Sequence, residues 1–190
     1  MDLNQKILYG LERLTDAYKT LIWEKAKITG LSPIQIQILL FINSHKSALS
    51  NISHLAMEFS VTKPTISDAV RVLVNKELLR KELLPEDTRS YNLYITPKGQ
   101  DVINQISEYN TPIQAALEDS PNEQLVNLYS SLTDLIFKLN AQGIIKVQRM
   151  CFGCRFYINN NGQHYCNLLN ISLTETDIRL DCNEFEEHNS

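Results

Sequence analysis

The first 150 residues of this 190-residue chain contain no cysteine. That stretch has no disulfide framework and no thiolate site to lean on, so it must fold on apolar burial, for which its length suffices. No apolar run is long enough to span a bilayer. Residues 1–5 are not the basic opening of a secretory leader, and no apolar core follows them, so the expectation is a cytoplasmic protein with no membrane partner. There is no glycine-rich phosphate loop, no Ser/His/Asp set and no pair of acids in a recognisable cleft, so an enzyme is not expected. Internal repeats and low-complexity linkers are absent as well. The formal net charge of −4 speaks against a general polyanion binder.

What charge there is, however, is unevenly placed. Residues 61–98 hold seven Lys/Arg against five Asp/Glu, whereas residues 151–190 hold two Arg against six acids. The relatively positive segment coincides with the most informative pattern in the chain, residues 49–99.

Leu3, Ile7, Leu11, Leu14, Tyr18 and Leu21 recur at helical spacing and predict a long amphipathic helix over 3–28, with Gly30 suited to its C-terminal side. Ser32-Pro33 starts a second helix, apolar nearly all round and so expected to be buried. Ser50 or Asn51 can cap a short third helix containing Ile52, Leu55, Ala56 and Phe59. A fourth helix is expected over 62–76, capped by Thr62, with Pro64 in the first turn and Ile66, Ala69, Val70, Leu73 and Val74 as its core stripe. Residues 79–84 and 91–95 read as strands, with Pro85, Glu86, Asp87 and Thr88 as the tip between them. Thr96-Pro97 opens another helix, with a break near Thr111-Pro112. Ser120-Pro121 opens the last one, in which Leu125, Leu128, Leu132, Leu135 and Leu139 alternate three- and four-residue steps. Such a heptad seam suits a subunit interface shared with the first helix, or packing within its own domain; the homodimer is the preferred expectation.

The outer face of the fourth helix carries Thr62, Lys63, Pro64, Thr65, Ser67, Asp68 and Arg71. Short hydroxyls permit close approach to phosphates and base edges, and Arg71 can offer a guanine two parallel donors. Arg89 beside the hairpin tip can reach an adjacent minor groove or phosphate, with Asp87 placed to hold it. Each residue alone would be ordinary solvated surface; the order of helix, turn, helix and hairpin is the specific signal. The run ISHLAMEFSVTKPTISDAVRVLVNKELLRK, followed by EDTRSYNLYITPKG, resembles the MarR family of bacterial winged-helix regulators. The resemblance covers about residues 1–145. It implies a mainly α fold with a small β-hairpin wing, dimerised by terminal helices, in which Thr62, Lys63, Thr65, Ser67 and Arg71 lie on the recognition helix and Arg89 on the wing. It also implies a double-stranded DNA partner with a pseudo-palindromic operator, half-sites about one helical turn apart. One departure is visible. Many relatives have Gly where this chain has Glu77. A left-handed backbone there costs Glu roughly 1 kcal/mol relative to Gly, so the helix is expected to end differently here.

Residues 146–190 lie beyond the resemblance and hold every cysteine: Cys151, Cys154, Cys166 and Cys182, spaced C-x2-C-x11-C-x15-C. A close pair can grip one ion from a tight turn, eased by Gly153, and two further thiolates complete a tetrahedral set. Disulfides do not suit a cytoplasmic chain, and a redox pair would need a βαβ setting. Zinc is expected first, with an iron–sulfur cluster as the alternative, since both take four thiolates. The role stays open between a structural knot and a sensor of metal, redox state or an unknown small molecule. Phe152, Phe156, Tyr157, Tyr165 and Phe185 can form a small core around it. The expected function is a dimeric, sequence-specific transcriptional regulator with a four-cysteine metal module; an iron–sulfur or thiol redox protein using the fold for protein interaction is the alternative.

Overall fold

The computed structural model describes residues 1–84 and 87–188; of residues 84 and 87–89 it describes the backbone alone. Two compact units divide the chain, Met1–Ala116 and Leu117–Ser190.

The first unit runs α1 (Leu3–Thr29), α2 (Pro33–Ser44), a 3-10 turn (Ser47–Leu49), α3 (Ile52–Glu58), α4 (Lys63–Asn75), β1 (Leu79–Leu84), β2 (Asp87–Ile95) and α5 (Pro97–Ile106), with α6 (Thr111–Glu118) after it. Asp2 caps α1 by accepting the Gln5 N–H at 2.8 Å. Gly30, at φ 64°, closes the helix by donating to the Ala26 carbonyl. Only Gly adopts that left-handed backbone without a Cβ penalty. Of the two caps expected for α3, Asn51 serves, accepting the His54 N–H at 3.0 Å. Ser50 is instead buried, and its carbonyl accepts the Leu93 N–H at 2.8 Å, which ties the start of α3 to the hairpin.

The core lies where α2, α3, α4, the hairpin and α5 meet. Ile36, Ile38, Leu39, Leu55, Ile66, Leu73, Leu79, Leu93 and Ile106 are fully buried there, each contributing about 1.5–3 kcal/mol by leaving water. α1 joins this core mainly at its C-terminal end: Ala26 is its one fully buried residue, with Ile22 packed beside the core. β1 and β2 pair antiparallel from Leu79↔Ile95 to Leu83↔Tyr91, then shift to Leu84↔Asp87. Asp87 and Thr88 therefore belong to a strand and not to the tip, because the shift lets β2 continue four residues below Tyr91. Pro85 and Glu86 lie outside the described residues.

The second unit holds α7 (Asn122–Ala141), a 3-10 turn (Cys151–Gly153), β3 (Tyr157–Asn160), β4 (Gln163–Cys166), β5 (Ile171–Leu173) and a 3-10 turn (Glu175–Asp177). The three strands form an antiparallel sheet in the order β3-β4-β5. Asn161 and Gly162 turn the first hairpin with φ of 53° and 87°, the two positive values a two-residue hairpin loop demands. The sequence reading divides the chain at 145/146. The compact units divide at 116/117, because α7 packs with the cysteine segment: Phe137 meets Phe152 edge-on at 5.5 Å, and the Tyr129 hydroxyl bonds the Ile178 carbonyl.

Candidate functional site

Helix α4 has one face for the core and one for solvent. Ile66, Ala69, Val70 and Leu73 are buried at steps of three and four residues. Thr62, Lys63, Pro64, Thr65, Ser67, Asp68 and Arg71 are all exposed. The structure thus brings the expected recognition residues onto one face, but it pairs four of them with one another. The Thr62 hydroxyl accepts the Thr65 N–H at 3.3 Å and lies 2.8 Å from the Thr65 hydroxyl, so it belongs to the cap. Arg71 donates to Asp68 at 2.9 Å. One helical turn separates them, both remain more than half exposed, and a pair so hydrated is readily exchanged for a better anion.

The turns on either side fix how α4 is presented. Before it, α3 ends with the Ser60 N–H on Met57 and the Val61 N–H on Ala56. After it, the Glu77 N–H meets Val74 and the Leu78 N–H meets Leu73, both at 2.9 Å. Each is the paired closure of a helix whose next residue is left-handed. Ser60 has φ 52° and Glu77 has φ 61°. The expectation that Glu77 would force a different ending is therefore corrected: the left-handed closure is kept with a glutamate in it. Neighbouring bonds hold it there. Thr96 Oγ1 lies 2.6 Å from the Glu77 carbonyl, and Lys98 Nζ lies 3.2 Å from the Glu77 carboxylate. Lys76 donates to the Gly30 carbonyl at 2.9 Å, which engages it in holding the fold. Gly99 completes this junction. A Cβ there would lie 2.2 Å from the Leu78 carbonyl oxygen, so the start of α5 can approach the end of α4 only without a side chain.

Beside α4 stands the hairpin. The side chains of Asp87 and Arg89 lie outside the described residues. Two basic groups to which the sequence reading gave no role are visible: Arg80 lies over the Tyr94 ring at 4.9 Å, and Lys81 over the Tyr91 ring at 4.4 Å. Strand alternation puts them on opposite faces, and each rests on an aromatic from the facing strand. Arg80 directly opposite Tyr94, and Lys81 diagonal to Tyr91, was the available signal.

In the second unit the four cysteines converge. Cys151 and Cys154 flank the 3-10 turn, Cys166 ends β4, and Cys182 follows β5 in the C-terminal loop, its N–H on the Arg149 carbonyl at 2.9 Å. All four line one cavity of about 30 Å3, and none forms a disulfide. Arg179 donates its backbone N–H to Cys151 Sγ at 3.2 Å and points its guanidinium at Cys182 Sγ, 3.7 Å away. Burial pushes the Cys151 thiol up, the Arg179 N–H draws it back, and Cys182, Cys154 and Cys166 each push it up again. Every other cysteine thus acts on Cys151, which places the four in one neighbourhood. Among the described residues, no three His, Cys, Asp or Glu side chains already stand in ion-holding geometry. His164 turns away from this role, bonded through Nδ1 to the Tyr157 hydroxyl at 2.6 Å.

A helical core, a helix with an open polar face and a two-stranded hairpin beside it make up a winged helix-turn-helix fold. Residues 29–90 match the MarR family model. The Bacillus subtilis (strain 168) protein described as an uncharacterized HTH-type transcriptional regulator, YhbI, is 25% identical over 144 residues, covering 71% of this chain and 94% of the relative. Among solved structures, MepR of S. aureus in complex with DNA is similar with a TM-score of 0.60 at 20% identity, covering 69% of this chain and 96% of that one. The regulator BldR from Sulfolobus solfataricus matches with a TM-score of 0.53 at 25% identity over 73% of this chain and 99% of that one.

Proposed function

We propose that the protein is a dimeric, sequence-specific DNA-binding regulator of transcription, whose C-terminal module holds a metal ion on four thiolates. The observation that carries the first part is the exposed polar face of α4, rigidly presented between two left-handed helix closures beside a basic wing. Lys63, Thr65, Ser67 and Arg71 meet the major groove, with Thr62 and Pro64 shaping the helix start and Asp68 holding Arg71 until DNA displaces it. Arg80 and Lys81, with Arg89, supply the charge of the wing. MepR, a structural neighbour, is solved as a DNA complex, which supports the same use here.

Dimerisation is supported by α1. At 27 residues it extends about 40 Å, yet Leu3, Ile7, Leu8, Leu14 and Tyr18 remain exposed along it. Within the second unit, Leu125, Leu128 and Leu132 of the heptad seam line an open apolar groove of about 360 Å3 along α7. A second copy covers both stripes. Zinc is the favoured ion, because a close cysteine pair with two further thiolates on one cavity is a tetrahedral zinc set.

Selection from random duplexes at 0.1 M salt tests the reading. The expected outcome is enrichment of a two-fold-related site, with affinity falling steeply as salt rises. Lys63→Ala and Arg71→Ala should each weaken binding about tenfold or more while the fold persists. Failure to enrich any site, or full affinity in both variants, overturns the proposal. Metal analysis after anaerobic purification should give one zinc per chain and no colour.

A further inference from the structure

We infer that the four-cysteine centre is a metal-dependent brace on α7, so that metal occupancy sets the order of that helix and, through the dimer contact proposed for its heptad seam, DNA affinity. The inference rests on the four-thiolate reading above and adds what the ion does. Two attachments carry it, both within the second unit. Phe152 sits inside the Cys151–Gly153 turn, between two of the ligands, and packs edge-on against Phe137 of α7 at 5.5 Å. It also meets the Tyr157 ring at 5.5 Å, where β3 leaves the turn. Eight residues before Phe137, on the same face of α7, the Tyr129 hydroxyl bonds the carbonyl of Ile178. Ile178 is buried and directly precedes Arg179, the residue that donates to Cys151 and faces Cys182. Thr133, between Tyr129 and Phe137 on that face, is buried too.

Each attachment therefore reaches the centre within one residue of a ligand or of a group bonded to two ligands. The module has little else to hold it. In residues 145–188, only Met150, Cys154 and Ile178 are buried apolar residues. A segment with so thin a core takes its folding energy from the ion. Losing the ion frees the Cys151 turn and the Ile178–Cys182 loop together, and both grips on α7 go with them.

The test compares zinc-loaded protein with protein stripped by a chelator under reducing conditions. Amide exchange over residues 125–141 is measured without DNA, and affinity for the selected duplex is measured separately. The expected result is slow exchange in loaded protein, faster exchange after stripping, and at least about tenfold weaker DNA binding, restored by adding zinc alone. A Tyr129→Phe, Phe137→Leu double variant should keep one zinc per chain but show α7 exchange and DNA affinity that no longer respond to zinc. If zinc loads at one per chain and wild-type α7 exchange does not change on stripping, or the double variant keeps the full response, the brace is overturned while the metal site stands. If no metal loads, the four-thiolate reading fails first and the brace with it. An exchange response without an affinity response overturns the link to DNA and leaves the brace.

Discussion

Replacing Glu77 by glycine tests whether the closure of the recognition helix stores strain. Glu77 sits at φ 61°, a backbone that costs a residue with a Cβ about 1–2 kcal/mol. Glycine removes that cost, but its freer unfolded chain takes back about 0.4–1 kcal/mol. The ion pair with Lys98 is also lost; its partners are 61% and 79% exposed, so after solvent screening it is worth a few tenths of a kcal/mol at most, about the lower end of surface pairs. The balance favours the variant by about 0.5 kcal/mol, the same order as these terms. Urea unfolding at one protomer concentration, followed by a probe of the winged-helix unit, should show a higher midpoint at unchanged slope. Glu77→Ala is the informative companion: it loses the ion pair and keeps the Cβ, so it should fall about 1 kcal/mol below Glu77→Gly. A glycine variant less stable than the wild type, or an alanine variant equal to it, would refute the strain.

Other residues give sharper signs. Gly99→Ala forces a Cβ toward the Leu78 carbonyl oxygen at 2.2 Å and should cost about 2–3 kcal/mol, read as a lowered melting temperature and weaker DNA binding. Asp68→Ala removes the partner of Arg71; stability should stay within about 0.5 kcal/mol, while DNA affinity rises or holds and sequence preference relaxes. A fall in affinity would mean that Asp68 positions Arg71 instead of competing for it. Thr62→Ala deletes the cap bond to Thr65 and should cost about 1 kcal/mol, with Thr62→Asp restoring most of it in the same unfolding measurement.

Much of this architecture was legible because local signals and burial agreed. The stripe Ile66, Ala69, Val70 and Leu73 fixes which face of α4 is inward, and the recognition face follows as its complement. The cap at Thr62 and the strands at 79–84 and 91–95 come from residue chemistry alone. Glu77 was misjudged because local propensity opposes a left-handed glutamate, and only the long-range bonds from Thr96 and Lys98 show what holds it. Those partners are 19 and 21 residues away in sequence, beyond any local pattern. The strands of the C-terminal module were missed for a related reason: β3 to β5 are three or four residues long and mostly exposed, so they carry no apolar alternation. Convergence of the cysteines was readable from spacing, whereas their attachment to α7 depends on Tyr129 and Phe137, which spacing places only on a helix.

Helix α1 carries a consequence for how much active protein a given amount of chain supplies. Its first four turns show apolar side chains to solvent, and its fully buried residue, Ala26, comes three residues before its end. If a second copy covers this helix, as proposed, its order obeys mass action. Dilution should then act on this protein as a destabilising agent. Melting temperature and duplex affinity would both drift with protomer concentration, steeply where the copies begin to part. A dimer of this kind would respond to its own abundance.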